Sequence, residues 1–171
     1  AARPDPDYRF VAYEDITKDA ALDKLIKGLA ETGNAKSLRK AFEARRNEAI
    51  PALLLALRAP SANIRSQSAL ILNRMDCKSK AYTEALNKMV ISDPDPDVRG
   101  MAGRVMVYYR NRGNTAALAE ALVKDTAEGV RMHAAWALGA SHDPAGTAAL
   151  IYALDDKSTD VRLRTVGALK R

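Results

Sequence analysis

Few side chains in this chain could carry out covalent chemistry. Its one cysteine, Cys77, follows Asp76 and precedes Lys78, a neighbour that favours the thiolate. Nucleophilic catalysis also needs a general base, and no histidine lies near Cys77 in the sequence. We therefore expect an incidental or structural cysteine and no catalytic residues. A single cysteine also leaves no internal disulfide bond to form.

Metal ligands are equally sparse. His133 and His142 are nine residues apart, with Asp143 beside the second. A zinc site here would need a further ligand from elsewhere. The run Asp-Pro-Asp-Pro-Asp at 93–97 resembles a calcium loop in composition, but it lacks the glycine and distal glutamate of an EF-hand. We expect a rigid turn at 93–97, no metal site and no cofactor.

The elements that position these side chains repeat along the chain. An arginine preceded by isoleucine or valine opens four helical apolar patterns, and the spacings between these arginines are 34, 32 and 31 residues. They are Arg65, Arg99, Arg131 and Arg162. A shorter segment rich in Ala and Leu precedes each one, at 49–57, 81–91, 116–123 and 147–154. One period is therefore two helices, and each short helix must bury its apolar stripe against the next pair.

Two further segments extend this organisation towards the start of the chain. The segments 19–30 and 35–45 predict another helix pair, and Tyr8 to Tyr13 predict an extended arm that packs on it. The predicted division is an N-terminal arm over 1–16 and a single repeat domain over 17–171, with approximate repeats 17–46, 47–77, 78–112, 113–142 and 143–171. Gly139 suits a helix end. Polar residues expected to cap helix starts are Asn47, Ser61, Asn114, Thr126 and Ser158.

Residues 130–139 read Val-Arg-Met-His-Ala-Ala-Trp-Ala-Leu-Gly. This segment resembles the "VRxxAAxALG" helix of HEAT-like repeats, which were first noted in phycobilisome lyases, and the likeness covers about residues 47–171. It implies an all-α fold: a right-handed α-α superhelix, the HEAT-like α-solenoid, of about five helix pairs. Lyase activity would be implied by the name of the repeat alone, and a shared fold does not transfer function.

A second mark of the repeat is an aspartate six residues before its arginine. It occurs in three pairs, and Ala59 takes the place of the aspartate before Arg65. An aspartate closing one helix and an arginine opening the next can bridge across the turn. We predict a structural ladder made of the pairs Asp93 and Arg99, Asp125 and Arg131, and Asp156 and Arg162.

In proteins that this chain resembles, the second helix of each pair lines the concave inner surface. Transferring those positions gives a strip that mixes arginine with aromatic residues and methionine, as protein interfaces do. Trp136 should be partly exposed in it, although its ring could also lie flat over a neighbouring helix. The strip contains Arg74, Met101, Arg104, Tyr108, Met132, His133, Trp136, Leu163 and Arg164, with Arg171 beyond them.

The formal net charge of +6 and the pI near 9.5 favour an acidic partner, either nucleic acid or an acidic protein surface. Lys and Arg are spread over the whole chain, as they also are on solvated helix faces. We expect a non-enzymatic scaffold or adaptor that binds a protein partner, or a subunit of a larger assembly. The alternative is a nucleic-acid-binding or DNA-repair protein, in which arginines contact phosphates while Trp136 and Tyr108 stack on bases.

The apolar runs are far shorter than the roughly 20 residues that cross a bilayer, so we expect no membrane span. The chain starts with Ala1, Ala2 and Arg3 in place of Met. It is either trimmed or the product of signal cleavage. The expected location is accordingly cytoplasmic, or outside the cytoplasm if Ala1 follows a cleaved signal.

Overall fold

A computed structural model describes residues 9–31, 35–109 and 111–171. In these ranges the chain has α-helices and no strand, so the all-α prediction is confirmed. No helix in the same ranges is long and apolar enough to cross a bilayer. The helices are α1 (Tyr13–Ile16), α2 (Ala20–Gly28), α3 (Ala35–Ala44), α4 (Arg46–Ala56), α5 (Ala62–Arg74), α6 (Lys80–Ser92), α7 (Pro96–Tyr109), α8 (Thr115–Lys124), α9 (Glu128–Ser141), α10 (Thr147–Tyr152) and α11 (Thr159–Leu169).

Contacts group the described residues into two compact units, 9–85 and 86–171. The single repeat domain over 17–171 stays a prediction. The boundary falls inside α6. Such grouping is expected of a repeat chain, because each helix contacts mainly its neighbours along the sequence.

In the unit 9–85, α4 packs against α5, and α2 and α3 pack against both. Leu22, Ile26, Leu53 and Leu72 are almost completely buried in its core. The Asp19 side chain caps α2 by accepting hydrogen bonds from the first-turn amides. The unit therefore contains the two helix pairs that the apolar periodicity predicts.

The N-terminal arm differs from the prediction. Residues 13–16 form α1, which packs on α4, and are not extended. Before it, the Val11 amide donates to the carbonyl oxygen of Arg58 at 2.7 Å. The ring of Phe10 lies 4.9 Å from the guanidinium carbon of Arg65. The described part of the arm therefore contacts the α4–α5 pair, whereas the prediction placed it on the first pair. Residues 1–8 of the predicted arm lie outside the described residues.

In the unit 86–171, α7, α9 and α11 pack side by side. Helix α8 packs against α9, and α10 packs against α8 and α11. The contacts between these helices bury the small and branched residues of the repeat. Its buried positions include Val98, Ala102, Val130, Ala134 and Val161.

The predicted helix caps fall into two groups. Ser61 and Ser158 accept hydrogen bonds from first-turn amides at 3.5 and 3.4 Å, so these caps are confirmed. Asn114 precedes α8 but makes no side-chain cap bond, and the cap of α9 is Ala127, one residue beyond Thr126. Asn47 lies inside α4, which begins at Arg46, so it caps no helix start.

Gly139 does not end its helix, as the sequence suggested. Helix α9 continues to Ser141 and closes at His142, which has a left-handed φ of 50°. A Cβ at Gly139 would lie 2.6 Å from the Cα of Ala168. The glycine therefore allows α9 and α11 to approach closely.

Candidate functional site

Each repeat arginine binds the turn that precedes its own helix. Its Nη1 donates to the carbonyl oxygen six residues earlier, at distances between 2.8 and 3.0 Å in all four repeats. Because the acceptor is a backbone carbonyl, Ala59 serves Arg65 as well as an aspartate serves the others. The departure of this repeat from the sequence pattern therefore leaves the turn intact.

The second edge of the guanidinium reaches the following helix pair. Arg99 donates from Nε and Nη2 to both carboxylate oxygens of Asp125, at 2.7 and 3.0 Å. Arg131 binds Asp156 in the same way, at 2.7 and 3.0 Å. Each of these four side chains is at most 10% exposed. The two buried ion pairs therefore join one repeat to the next.

The predicted ladder is consequently wrong in register. We expected carboxylate pairing within each turn, between Asp93 and Arg99, Asp125 and Arg131, and Asp156 and Arg162. Instead, the carboxylates of Asp125 and Asp156 accept from the amide two residues further on, at 2.8 Å in both turns, and from the arginine of the preceding repeat. Arg131 and Arg162, the arginines of the same repeats, donate to the backbone carbonyl oxygens of these aspartates and not to their carboxylates.

The ion pair between Arg131 and Asp156 shifts both groups towards their charged forms. The hydrogen bonds from Arg131 hold the pKa of Asp156 below its usual value, and the Ser158 amide acts in the same direction. The hydrogen bonds to Asp156 raise the pKa of Arg131. Both partners of this ion pair therefore stay ionised at every pH where proteins usually fold.

Eight of the predicted strip residues come together on neighbouring helices, and we call this set the Trp136 strip. The guanidinium carbon of Arg164 lies 4.8 Å from the centroid of the Trp136 ring, a cation–π contact. The Tyr108 ring meets Trp136 edge-on at 6.2 Å, and the His133 ring stacks at 6.4 Å. The members are Met101, Arg104 and Tyr108 on α7, Met132, His133 and Trp136 on α9, and Leu163 and Arg164 on α11.

Much of the Trp136 strip is open to solvent. Tyr108 is 65% exposed and Leu163 is 66% exposed, while Trp136 is half-buried. Trp136 thus partly fits both sequence expectations, because its ring packs on neighbouring side chains and still faces a groove. This groove, of about 520 Å³, is also lined by Asp160, Gly167 and Arg171.

His133 packs over two glycines of α7. A Cβ at Gly103 would lie 3.1 Å from the Cβ of His133, and one at Gly100 would lie 3.7 Å from its Nδ1. Burial lowers the pKa of His133, and the positive charges of Arg104 and Arg164 lower it further. The imidazole is therefore neutral at neutral pH. The sequence did not predict this contact, because a glycine in one helix does not indicate which side chain of another helix packs over it.

The cations in the Trp136 strip and in the adjoining groove are available to a ligand. Arg104 donates to the sulfur of Met101 at 3.1 Å. Neither Arg104, Arg164 nor Arg171 forms an ion pair with any residue that the structure describes. Guanidinium groups in this state can bind a carboxylate or a phosphate through two donors. The acidic Asp97 and Asp160 lie at the borders of the adjoining hollows.

The other candidate residues lie apart from this cluster. Arg74 is an exposed residue at the end of α5 and belongs to the unit 9–85. Cys77 is buried in that same unit, with its sulfur 3.6 Å from the Ser79 hydroxyl. Within the described ranges, no group of three or more His, Cys, Asp and Glu side chains is placed to hold a metal ion.

The run 93–97 forms a hydrogen-bonded turn, as expected. The Asp95 amide donates to the Asp93 carboxylate at 3.0 Å, and the Asp97 amide donates to the Asp95 carboxylate at 2.8 Å. His142 is exposed at the end of α9, and the carboxylate of Asp143 accepts from the Thr115 hydroxyl at 2.6 Å. These residues thus hold turns in place.

Comparison with known protein families matches residues 83–170, just over half of the chain, to HEAT repeats. No curated protein matches the chain. The matched region includes α7 to α11 and therefore the ion pairs of Arg99 and Arg131 described above, together with the whole Trp136 strip. The match also confirms the prediction of an α-solenoid. The chain belongs to the HEAT repeat family.

Proposed function

We propose that the chain is a non-enzymatic scaffold or adaptor and that the Trp136 strip binds its protein partner. HEAT repeats commonly act as scaffolds for protein interactions. One observation carries this proposal: an aromatic group and a free guanidinium occur together on an open surface, with Arg164 over Trp136 beside the exposed Tyr108. Trp, Tyr and Arg are the residues most enriched among those that dominate binding energy at interfaces.

The chemistry of the strip supports one kind of partner. Leu163, Tyr108 and Trp136 offer apolar area, while Arg104 and Arg164 offer donors without an acidic partner among the described residues. A protein segment with carboxylates beside apolar side chains would satisfy both. Such a surface supplies contact area and directed hydrogen bonds, which supports binding over catalysis.

The likeness to phycobilisome lyases supports no activity of that kind. In the segment 130–139, Ala134, Ala135, Ala137 and Leu138 are at most 2% exposed. The motif positions that carry the resemblance are therefore the ones that pack against neighbouring helices. Residues that could contact a ligand stand at the x positions of the motif.

Nucleic-acid binding is the second candidate function, and the unpaired arginines favour it. The same cluster could place Arg104 and Arg164 on phosphates and Tyr108 against a base. The unit that contains the strip is only slightly basic, however, because residues 86–171 have 12 Lys and Arg against 10 Asp and Glu. This balance makes an acidic protein segment the better fit.

The test is an affinity pull-down from the lysate of the source organism, with and without nuclease. The bait is the wild-type chain, Trp136→Ala or Tyr152→Ala. Tyr152 is a matched control because it is 68% exposed on α10 and is not part of the strip. We expect a protein that is retained after nuclease treatment and by the Tyr152→Ala bait, and whose affinity for Trp136→Ala is at least about fivefold weaker, equivalent to about 1 kcal/mol.

The other outcomes are equally informative. Retention of nucleic acid that nuclease removes would favour the second candidate. Equal binding by the two variants, with unchanged helix content by circular dichroism, would reject the Trp136 strip as the binding site.

A further inference from the structure

Two grooves run along α9, one on each side. The groove towards α11, described above, has a volume of about 520 Å³, with Trp136 and Leu163 among its walls. The groove towards α7 has a volume of about 210 Å³, with Arg104 and His133 among its walls. We call them the α9–α11 groove and the α7–α9 groove. The α7–α9 groove stays open although α11 packs on the other side of α9, so a helix packed beyond α11 would likewise leave the α9–α11 groove open.

A glycine without close neighbours lies in each groove. A Cβ at Gly129, in the α7–α9 groove, would meet nothing within 4 Å, and the same holds for Gly167 in the α9–α11 groove. At the other glycines of these helices, such a Cβ would lie within 4 Å of a neighbouring helix; they are Gly100, Gly103 and Gly139. The absence of a side chain at Gly129 and Gly167 therefore leaves space for a ligand and does not serve close packing.

The two grooves differ in size and chemistry. Arg104 offers its guanidinium to the smaller α7–α9 groove, where a carboxylate is the complementary group. The larger α9–α11 groove is lined by the apolar side chains of Met132, Trp136 and Leu163, which suit a large apolar side chain. A ligand that fills both grooves therefore carries an acidic group and an apolar group.

The charge between the grooves also favours an acidic ligand. Arg104 and Arg164 lie on the helices that flank α9, and the positive charge of each lowers the pKa of His133 between them. No carboxylate of the described residues offsets this effect. Asp97 lines the α7–α9 groove but precedes Arg104 by seven residues, or about 10 Å along the helix.

The separation of the grooves favours one backbone conformation. Packed helices lie about 8–10 Å apart, so grooves on opposite sides of α9 are separated by a similar distance. A polyproline II segment rises about 3.1 Å per residue with three residues per turn, which places residues i and i+3 on one side about 9 Å apart. In a β-strand, residues on one side are only about 7 Å apart. The polyproline II spacing is therefore the better match of the two.

We propose that the Trp136 strip binds an extended, proline-containing segment of its protein partner, which crosses α9 with a carboxylate in the α7–α9 groove and, three residues away, a large apolar side chain in the α9–α11 groove. The residues between these two anchors lie over the stacked rings of His133 and Trp136. Aromatic surfaces of this kind bind polyproline II segments, whose preformed backbone loses little entropy on binding. This inference rests on the proposed function, to which it adds the conformation of the partner and the spacing of its anchors.

The test uses the intrinsic fluorescence of Trp136, which is the one tryptophan of the chain. The probes are the end-capped peptides Gly-Glu-Pro-Pro-Leu-Gly and Gly-Leu-Pro-Pro-Glu-Gly, since such a segment can cross α9 in either direction. We expect at least one of them to change the fluorescence in a saturable way. Versions with one or three prolines, or with Gln in place of Glu, should bind about tenfold more weakly, because one anchor then misses its groove or loses its charge.

Variants of the chain fill one groove at a time. Gly129→Leu and Gly167→Leu should each weaken the peptide by about tenfold or more, although leucine favours a helix over glycine and should not lower stability. Arg104→Gln should make the Glu and Gln peptides bind equally, because the two changes remove the same contact. Ala116→Leu is the matched control: it adds the same side chain at an exposed position of α8, outside both grooves, and should have no effect.

Several results would overturn the proposal. They are no binding by either peptide, equal binding of the three spacings, and binding that tolerates both Gly129→Leu and Gly167→Leu. Tighter binding of a helix-stabilised peptide with Glu and Leu seven residues apart, a span of about 10 Å, would identify a helical occupant instead. Quenching by oligothymidylate but by neither peptide would assign the surface to nucleic acid.

The pull-down separates this inference from the proposed function. A protein partner that is lost from the Trp136→Ala bait but retained by the Gly129→Leu and Gly167→Leu baits would support the scaffold and reject the extended segment. A partner retained by all three baits would reject the Trp136 strip and this inference together.

Discussion

The planar guanidinium group of a repeat arginine can bind two parts of the fold, one through each of two edges. Arg131 fixes its own turn with Nη1 and joins the next helix pair with Nε and Nη2. The sequence identified Arg131, Asp125 and Asp156 as one system but assigned the wrong partners. Residues six apart in a turn are evident from local spacing, whereas a contact across 25 residues depends on how one helix pair stacks on another. The backbone carbonyl that each arginine uses has no sequence signal at all.

At this scale we predict that Arg131→Ala lowers the free energy of unfolding by about 3–5 kcal/mol. The substitution leaves Asp156 buried without its partner and also removes the bonds to the turn. Arg104→Ala is the control, because Arg104 is exposed and forms no ion pair with a described residue, and it should change stability by about 0.5 kcal/mol or less. Urea unfolding at neutral pH gives both values. Similar unfolding midpoints for the two variants would show that the Arg131–Asp156 ion pair contributes little to stability.

Helices are the part of the fold that sequence periodicity predicts best. The apolar spacing located both members of each pair, and Ser61 and Ser158 marked helix starts correctly. Helix ends were less predictable, as Gly139 shows. A glycine has two distinct uses, a left-handed turn and a close helix approach, and its position in the sequence does not distinguish them. The position of Ala168 decides between them, and that depends on tertiary packing.

At the scale of the helix we predict that Gly139→Ala destabilises the chain by about 1–3 kcal/mol, because α9 and α11 must separate to admit the methyl group. Gly129→Ala adds the same methyl group to the same helix, where nothing lies within 4 Å of the new Cβ. That variant should be neutral or up to about 1 kcal/mol more stable. Thermal and urea denaturation of the pair test this difference, and a harmless Gly139→Ala would contradict the close approach.

For the molecule as a whole, the sequence predicted the repeat architecture and the residues of the Trp136 strip, but not the geometry of the strip. Positions within the repeat show which side chains leave the core. They do not show that Arg164 covers Trp136 or that His133 sits over Gly100 and Gly103, since each contact joins different helices. The distribution of charge was visible from the start: residues 1–85 have 15 Lys and Arg against 11 Asp and Glu.

This distribution leads to a prediction for the whole chain. On immobilised duplex DNA, the net charge of +6 should give retention at low salt that disappears as salt is raised. The double variant Arg104→Gln and Arg164→Gln should elute at nearly the same salt concentration as Arg39→Gln and Arg46→Gln, a control pair with the same change of charge. A much earlier elution of the strip variant alone would indicate that nucleic acid binds at the strip.

The offset pairing of arginine and aspartate has a consequence for how such a chain can change in evolution. The period that contains Asp125 and Arg131 carries both halves of this pairing: an aspartate that binds the arginine before it and an arginine that binds the aspartate after it. Duplication or loss of one whole period, about 31 residues here, rebuilds the pairing at the new junction without leaving an orphaned charge. The number of such modules can thus change while the chemistry of the junction between them stays the same.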